Sequence, residues 1–369
     1  MTDPIKKIAT LTILLLVTLT LPFQNVAAQA PDPIPVLAYY YIWFDTQSWG
    51  RAKVDYPTLG RYSSDDAEVM LQHIKWAQSA GISGFIVSWK STDKLDPRLS
   101  QLVELADQEN FKLAIIYEGL DFFRDPLPVE KVAADFDYFI ENFAQHTAFD
   151  LYEKPIVIWS GSWEFSREEV QSVTQERRDQ LFILASEKNV EGYQRVADLV
   201  DGDAYYWSSV NPDTHPGYLE KLIEMGETVH ANGGLWFAPA APGFDARLVG
   251  GTTVVERKDG QTLHTEMSVA YKSSPDAIGL ISWNEFSENS HIEPSLNYGN
   301  RYLDLLADIL HVKEPVLLNF DSSEPENSRD DIQGGIYRIG ALVFLSLLVL
   351  SSLLIVFKRN NQVGPMDDI

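Results

Sequence analysis

The stretch AEVMLQHIKWAQSAGISGFIVSW, residues 67–89, contains one complete unit of the fold that this chain predicts. Its first part, Ala67 to Ala80, carries apolar residues at helical spacing. Ser64 or Asp65 is a candidate N-cap for that helix, and Gly81 is expected to end it. The last part, Gly84 to Trp89, is a continuous apolar run, which is typical of a strand buried on both faces of a parallel sheet.

The same alternation of strands and helices continues on both sides of this stretch, from residue 31 to about residue 315. Further helices are predicted at Leu99 to Glu109, Val129 to Ala144, Gly217 to Ala231 and Tyr298 to Leu310. Eight strands are predicted: Val36 to Trp43, Gly84 to Trp89, Leu113 to Glu118, Ile156 to Ser160, Leu181 to Ala185, Ala204 to Trp207, Leu235 to Ala238 and Ile278 to Trp283. Eight βα units favour a single closed (β/α)8 barrel, the TIM barrel of the α/β class.

The amino-terminal residues 1–30 resemble an export signal. Lys6 and Lys7 precede an apolar run from Ile8 to Phe23, and small residues follow, so cleavage is expected near Ala28. An uncleaved membrane anchor is the alternative, because the run is almost long enough to cross hydrocarbon. Both interpretations place the barrel outside the cytoplasm.

The carboxyl-terminal residues predict a membrane tether. A polar stalk, residues 316–338, leads to an uncharged apolar segment, residues 339–357, that is long enough to span a bilayer. Lys358 and Arg359 then begin a short cytoplasmic tail, residues 358–369. A buried core helix is the alternative for the apolar segment. The sequence therefore predicts a single-pass protein of the cell membrane with an extracytoplasmic domain.

Composition excludes several function classes. A formal net charge of -24 argues against a nucleic-acid partner, because phosphate contacts need lysine and arginine. The chain has 0 Cys, which excludes disulfides and thiolate zinc sites. His291 and Glu293 lie close together, but the 7 histidines otherwise lack metal-ligand spacing, and no glycine-rich phosphate loop is present. We therefore expect no metal and no cofactor.

Aromatic residues cluster where the predicted strands end, which is the end that carries the active site in such barrels. Aromatic faces stack on the C–H faces of sugar rings. Any one of these residues has core packing as its alternative, so the clustering is the signal. The residues are Tyr41, Trp43, Trp89, Trp159, Trp163, Tyr205, Trp207 and Trp236.

Carboxylates occur at the same end. Glu118 closes the third predicted strand, and Glu285 and Glu288 follow the eighth. Two acids three residues apart converge on one cleft if the chain turns helical there, although such pairs are also common on solvated helices. Glycoside cleavage needs a pair in which one carboxyl protonates the leaving oxygen while the other acts as base or nucleophile.

Several motifs resemble those of glycoside hydrolase family 99, the endo-α-mannosidases and endo-α-mannanases. The block Ser282-Trp283-Asn284-Glu285-Phe286-Ser287-Glu288, followed by Ile292-Glu293-Pro294, is similar to the family's most specific signature. Tyr40-Tyr41-Ile42-Trp43-Phe44, Val87-Ser88-Trp89 and Pro242-Gly243-Phe244-Asp245 with Arg247 resemble further family segments, in the same order along the chain. The resemblance implies a metal-free barrel that hydrolyses an α-linked oligosaccharide or polysaccharide with retention.

The resemblance also implies roles for individual residues. Glu285 would remove the proton from the substrate's 2-hydroxyl while Glu288 protonates the departing oxygen, which gives an epoxide-like intermediate. The substrate-binding residues expected from the aromatic clustering and the resemblance are Tyr41, Trp43, Trp89, Glu118, Tyr205, Trp207, Arg247 and Asn284.

Departures from the family pattern keep other functions open. Phe44-Asp45-Thr46 replaces Tyr-Gly-Asn, and Phe286 replaces a tryptophan, so the donor-sugar pocket is expected to differ. Related α-1,3-glucanases carry similar motifs. A non-catalytic glycan-binding surface receptor and a component of polysaccharide assembly are the alternatives to an enzyme.

Overall fold

The computed structural model describes residues 33–51 and 53–311. The barrel strands are β1 (Val36–Tyr41), β2 (Gly84–Trp89), β3 (Lys112–Glu118), β4 (Ile156–Ser160), β5 (Phe182–Ala185), β6 (Gly202–Ala204), β7 (Leu235–Ala240) and β10 (Ala277–Leu280). These eight strands are parallel and form a closed barrel in the order β1-β10-β7-β6-β5-β4-β3-β2. A small antiparallel hairpin, β8 (Phe244–Asp245) and β9 (Val254–Val255), lies between β7 and β10 in the chain. The predicted (β/α)8 barrel is confirmed.

Helices alternate with the barrel strands. They are α1 (Ala67–Ser79), α2 (Leu95–Gln108), α3 (Val129–Asn142), α4 (Arg167–Thr174), α5 (Val190–Val196), α6 (Tyr218–Ala231), α7 (Gln261–Lys272) and α8 (Arg301–Ile309). Five of them correspond to predicted helices. The prediction did not include α4 and α7, and the short α5 fits the limited space that the sequence leaves there.

The start of α1 corrects the predicted cap. Asp66 is the N-cap, and its side chain accepts hydrogen bonds from the backbone N–H groups of Glu68 and Val69. Asp65 instead receives two hydrogen bonds from Arg98, at 2.6 and 2.7 Å. Gly81 follows the helix in a left-handed conformation with φ 82, as predicted for a glycine at this end.

Side chains alternate between the barrel interior and the outer layer that the helices cover. On β1, Leu37 and Tyr39 belong to the inner cluster, whereas Ala38 and Tyr40 belong to the outer one. The outer cluster is much the larger, because eight helices pack against the barrel. A strand-end residue therefore reaches the mouth of the barrel only when its place in the alternation points it inward.

The sixth strand is shorter than predicted and lies earlier in the chain. It was expected at Ala204 to Trp207 but comprises Gly202–Ala204. Its start needs a glycine, because a Cβ at Gly202 would lie 2.1 Å from the carbonyl oxygen of Leu235. The aromatic run that suggested a strand follows it instead, since aromatic residues suit any half-buried surface and not only a strand. The eighth barrel strand likewise ends at Leu280, before the predicted Trp283.

The predicted signal peptide, residues 1–30, and the predicted stalk, transmembrane segment and tail, residues 316–369, lie outside the described residues. Within the part that is described, no helix has the length and apolar character needed to cross a membrane.

Candidate active site

The loop after β10 carries the predicted acid pair and is fixed by its own hydrogen bonds. The backbone N–H of Ser282 donates to the Ser290 carbonyl at 2.8 Å, and that of Glu285 donates to Ser282 Oγ at 2.9 Å. Glu285 and Glu288 are buried, with only 2% and 1% of their surfaces exposed. The chain therefore turns back on itself and holds both acids inside the protein instead of on a solvated helix.

Glu285 lies against a loop that follows β1. Its Oε1 accepts a hydrogen bond from the backbone N–H of Ser287 at 3.0 Å, and Lys53 Nζ donates to Ser287 Oγ at 2.9 Å. The Val54 N–H donates to the Phe286 carbonyl at 3.3 Å, which ties the two loops together. Burial raises the pKa of Glu285, while the Lys53 charge and the bonds from Ser287 lower it. The Oε2 atom of Glu285 has no hydrogen-bond partner among the described residues.

Glu288 is positioned through its backbone by the β8–β9 hairpin. The Asp245 N–H donates to the Glu288 carbonyl at 2.7 Å. Arg257 supports the following residues, because its Nε donates to the Asn289 carbonyl at 3.2 Å and its Nη2 to the His291 carbonyl at 2.6 Å. The hairpin, which the sequence did not predict, thus helps to set the direction of the second acid.

Two tyrosines lie within the field of both acids. The hydroxyls of Tyr41 and Tyr206 lie 2.7 Å apart. Burial raises the pKa of both hydroxyls well above the usual range, and the charges of Glu285 and Glu288 raise it further. Trp43, which is half-buried, stacks on Tyr41 at 4.3 Å with an interplanar angle of 27°. Two carboxylates, two neutral phenols and an indole therefore meet at the carboxyl end of the barrel.

Asn284, predicted to bind substrate, uses its amide to join the loop to β1. Its Oδ1 accepts from the Tyr41 N–H at 2.9 Å, and its Nδ2 donates to the Tyr41 carbonyl at 3.0 Å. These residues are 243 positions apart in the sequence. Asn284 therefore fixes the position of Tyr41 relative to the loop that carries Glu285 and Glu288.

A buried chain of polar side chains lies beneath this junction. Tyr40 hydrogen-bonds His73 Nδ1 at 3.0 Å, and His73 Nε2 lies 3.1 Å from Glu293 Oε1. Tyr62 donates to Glu293 Oε2 at 2.8 Å, and Asn284 Nδ2 donates to the Tyr62 hydroxyl at 3.4 Å. Both oxygens of Glu293 are thus occupied, so the Ile-Glu-Pro part of the signature stabilises the fold beneath the site.

Glu118 is buried at the end of β3 and accepts a hydrogen bond from Ser88 Oγ at 2.6 Å. Burial raises its pKa, whereas the Ser88 bond and the charges of Lys90 and Arg124 lower it.

Arg247 lies in the loop of the hairpin and is mostly exposed. It pairs with Asp245, with Nε 2.9 Å from Oδ1 and Nη2 2.5 Å from Oδ2.

Three of the predicted aromatic substrate-binding residues contact the helices instead of the acids. The Trp89 indole donates to Asp96 Oδ1 at 2.9 Å, and its ring packs against Phe139 and other aromatics of the outer layer. Tyr205 and Trp207 lie beneath Lys221 of α6, whose Nζ is 4.9 and 4.3 Å from their ring centres. Trp159 and Trp236 also belong to this outer layer.

Tyr206 lies at the site but was not among the residues predicted from the sequence. Ala204 faces the barrel interior, so the alternation along the chain directs Tyr206 inward and its neighbours Tyr205 and Trp207 outward. A strand end placed correctly at Ala204 would have identified it. No pattern in the sequence indicated that Lys53 belongs to the site, because its position beside Glu285 depends on a contact between loops 234 residues apart.

His291 contacts an aspartate and an aromatic ring. Its Nε2 lies 3.3 Å from Asp55 Oδ2, and its ring stacks on Phe286 at 4.1 Å. Burial lowers the pKa of His291 to about 4, with a further lowering from the nearby Arg257, so the ring is neutral at neutral pH. In residues 33–51 and 53–311, no three histidine, aspartate or glutamate residues are arranged to hold a metal ion.

Comparison with known proteins finds endo-mannosidases and a mutanase among the relatives of this chain. The glycoprotein endo-alpha-1,2-mannosidase of Rattus norvegicus is 23% identical over 277 residues, which cover 68% of this chain and 59% of that protein. The Mus musculus enzyme of the same name is 24% identical over 279 residues, with the same coverage. A mutanase of Penicillium rubens is 24% identical over 229 residues, 59% of this chain and 48% of that protein. The chain thus spans less than two thirds of the length of these curated relatives.

Solved structures share the fold. The endo-alpha-mannosidase of family 99 from Bacteroides thetaiotaomicron, solved with BIS-TRIS-propane, superposes with a TM-score of 0.67 at 20% identity and covers 76% of this chain and 97% of that one. A glycoside hydrolase-like protein gives a TM-score of 0.52 at 15% identity, covering 76% and 96%. The model of glycosyl hydrolase family 99 matches residues 51–310. That range is well over half of the chain and includes the loop with Glu285 and Glu288, so the protein belongs to glycosyl hydrolase family 99.

Proposed function

We propose that this protein is a retaining glycoside hydrolase that cleaves α-mannosidic linkages within an oligosaccharide or polysaccharide. The observation that carries the proposal is the burial of Glu285 and Glu288 in one loop after β10, at the end of the barrel where catalytic groups of this fold lie. The curated relatives named as endo-alpha-1,2-mannosidases support the choice of mannose.

The proposed mechanism uses the substrate's own 2-hydroxyl as nucleophile. Glu285 accepts the hydroxyl proton while O2 attacks the anomeric carbon, and Glu288 donates a proton to the oxygen that leaves. Water then opens the resulting 1,2-epoxide at the anomeric carbon; it gives its proton to Glu288 while Glu285 returns a proton to O2. Two inversions give net retention. The nucleophile is already part of the substrate, which saves the entropy of bringing in another group.

The surroundings of Glu285 suit a base. A base must start ionised, and burial alone would favour the protonated acid. Lys53 counteracts burial, because its ammonium group lies near the carboxylate and donates to Ser287, the residue whose N–H binds Glu285. Tyr41 and Tyr206, which stay neutral, supply hydroxyl donors beside the same carboxylates.

Replacing Lys53 by Met is expected to move the acidic limb of the pH–rate profile to higher pH. Removal of the ammonium charge raises the pKa of Glu285 further, so a smaller fraction of the enzyme carries an ionised base at mildly acidic pH. The variant-to-wild-type ratio of kcat/KM should therefore fall as the pH is lowered and recover at alkaline pH. Lys53→Arg, which keeps the charge, is the matched control. A ratio for Lys53→Met that is constant with pH would contradict this role.

The direct test of the proposed function is hydrolysis by the purified full-length protein. It is incubated with α-mannans and α-glucans of known linkage, and the anomer of the first product is followed by NMR. Release of α-configured products of more than one sugar from an α-mannan is expected. Release from α-glucan alone would instead favour an α-glucanase, the second candidate, for which the similarity to a mutanase is the specific observation. Binding of a glycan without any release would favour the receptor alternative.

We further propose that the barrel lies outside the cytoplasm, held at the cell membrane by a single carboxyl-terminal helix. This placement rests on the sequence of residues 1–30 and 339–357. Protease treatment of intact cells tests it, because an extracytoplasmic barrel is digested or released and a cytoplasmic one is protected.

A further inference from the structure

The loop that follows β3 folds back on itself. The Leu127 N–H donates to the Gly119 carbonyl at 2.9 Å, and the Asp121 N–H donates to the Asp125 carbonyl at 2.8 Å. Asp121 Oδ1 accepts from the N–H groups of Phe123 and Asp125, at 2.8 and 3.0 Å. This tight turn holds Arg124 at φ 71, a conformation that non-glycine residues seldom adopt. The loop is also packed against its neighbour, because a Cβ at Gly161 would lie 2.6 Å from Leu120 Cγ.

The guanidinium group of Arg124 is buried without a hydrogen bond. Its Nη1 and Nη2 atoms are shielded from solvent and have no partner in the described part of the chain. Burial lowers the pKa of Arg124, and the charges of Glu118 and Glu288 raise it. The group therefore lies within the field of two carboxylates but outside hydrogen-bonding range of either. Leaving such donors unpaired is costly, so a partner is expected from outside the chain.

Among the described residues, every other buried or half-buried arginine donates to a carboxylate or to backbone carbonyl groups through at least part of its guanidinium group. The pairs are Arg98 to Asp65, Arg167 to Asp198, Arg177 to Asp137, Arg178 to Asp201, Arg195 to Glu187, and Arg257, whose Nη1 has no partner, to the carbonyls of Asn289 and His291. Arg124 differs from these arginines because neither of its Nη atoms donates a hydrogen bond to another described residue.

The surrounding charges indicate a neutral partner. On the same side of the barrel mouth, Lys188 Nζ lies 4.0 Å from the ring centre of Trp163. Burial lowers the pKa of Lys188 and the Arg124 charge lowers it further, which places the two cations near each other. The carboxylates of Glu118 and Glu288 act on Arg124, and those of Glu164 and Glu187 act on Lys188, so negative charge already balances both cations. An anionic ligand would meet these carboxylates, whereas a sugar diol can accept from the guanidinium and donate to a carboxylate at once.

We propose that Arg124 is a substrate-binding residue that donates hydrogen bonds to the hydroxyl groups of a neutral sugar unit held between Glu118 and Glu288. The assignment rests on the proposed function and deepens it, since it adds a binding residue on the loop Gly119 to Leu127. Glu288 protonates the departing oxygen in the proposed mechanism, so this unit is one of those adjoining the cleaved linkage.

The experiment compares Arg124→Met with wild type in the full-length protein, on the α-mannan that wild type cleaves best. Charge-assisted hydrogen bonds to the sugar are lost, so kcat/KM is expected to fall about 10- to 100-fold. The unfolding midpoint should stay close to that of wild type, because no hydrogen bond within the protein is removed. Arg301→Met, which removes an exposed guanidinium paired with Asp259, is the matched control and should leave kcat/KM unchanged.

Two results would overturn the assignment. An unchanged kcat/KM for Arg124→Met beside an active wild type contradicts substrate binding by Arg124 and leaves the proposed function intact. A large drop in the unfolding midpoint, with kcat/KM per folded molecule unchanged, assigns Arg124 a structural role instead. A wild-type protein that cleaves and binds no α-mannan or α-glucan refutes the proposed function, and the assignment fails with it. Competition by inorganic sulfate at millimolar concentration, lost in Arg124→Met, would contradict the neutral ligand.

Discussion

Glu288→Gln is expected to lower kcat on an α-mannan by about 10²- to 10⁴-fold, because general acid catalysis contributes this much to a typical proton-transfer step. Glutamine keeps the size of the side chain and its buried position but has no acidic proton to give to the departing oxygen. Oligosaccharide binding should persist, since the carboxyl is needed mainly in the transition state. Initial rates and calorimetric binding on the same preparation check both statements.

Glu285→Gln is expected to lower kcat on an α-mannan by a similar factor. The reason differs, and it can be measured separately. An aryl α-mannoside has a leaving group that departs without protonation, so Glu288→Gln should recover much of its rate on this substrate. Glu285→Gln should not recover, because the 2-hydroxyl still needs a base. Glu227→Gln, at an exposed acid on α6, is the control for a charge change alone. Wild-type rates in either active-site variant would refute the catalytic assignment.

Glu293→Ala is expected to destabilise the fold by about 3–5 kcal/mol, the usual cost of removing one partner from a buried ion pair or its hydrogen-bonded equivalent. The change leaves His73 Nε2 and the Tyr62 hydroxyl without their acceptors, both in the protein interior. For a domain of this size the unfolding midpoint should fall by roughly 10 °C. Thermal unfolding followed by circular dichroism measures the change.

Tyr62→Phe is the graded comparison for this prediction. It removes only the hydrogen bond to Glu293 Oε2 and the weaker one from Asn284, so a loss of about 1 kcal/mol is expected. A midpoint for Glu293→Ala within about 2 °C of wild type would mean that the buried chain contributes little to stability.

The aromatic residues show where sequence reasoning reached its limit. Trp43 stacks on Tyr41 at the end of β1, whereas Trp89, Tyr205 and Trp207 lie in the helix-covered layer. All of them lie at or just after strand ends. An aromatic residue suits stacking on a sugar as well as packing against a helix, so the residue type does not distinguish the two roles. Which alternative holds depends on a shift of one residue, since successive side chains of a strand point to opposite faces.

The number and order of the barrel strands, five of the helices between them, and an acid pair just past the eighth barrel strand follow from the sequence by itself. Apolar runs and helical periodicity report local burial, and local burial is repeated in each βα unit. Only the tertiary structure decided that Tyr206 faces the acids, that Lys53 lies beside Glu285 and that Arg124 is left without a hydrogen bond. These facts arise from contacts between loops far apart in the chain, and they exist only once the barrel closes and its register is fixed.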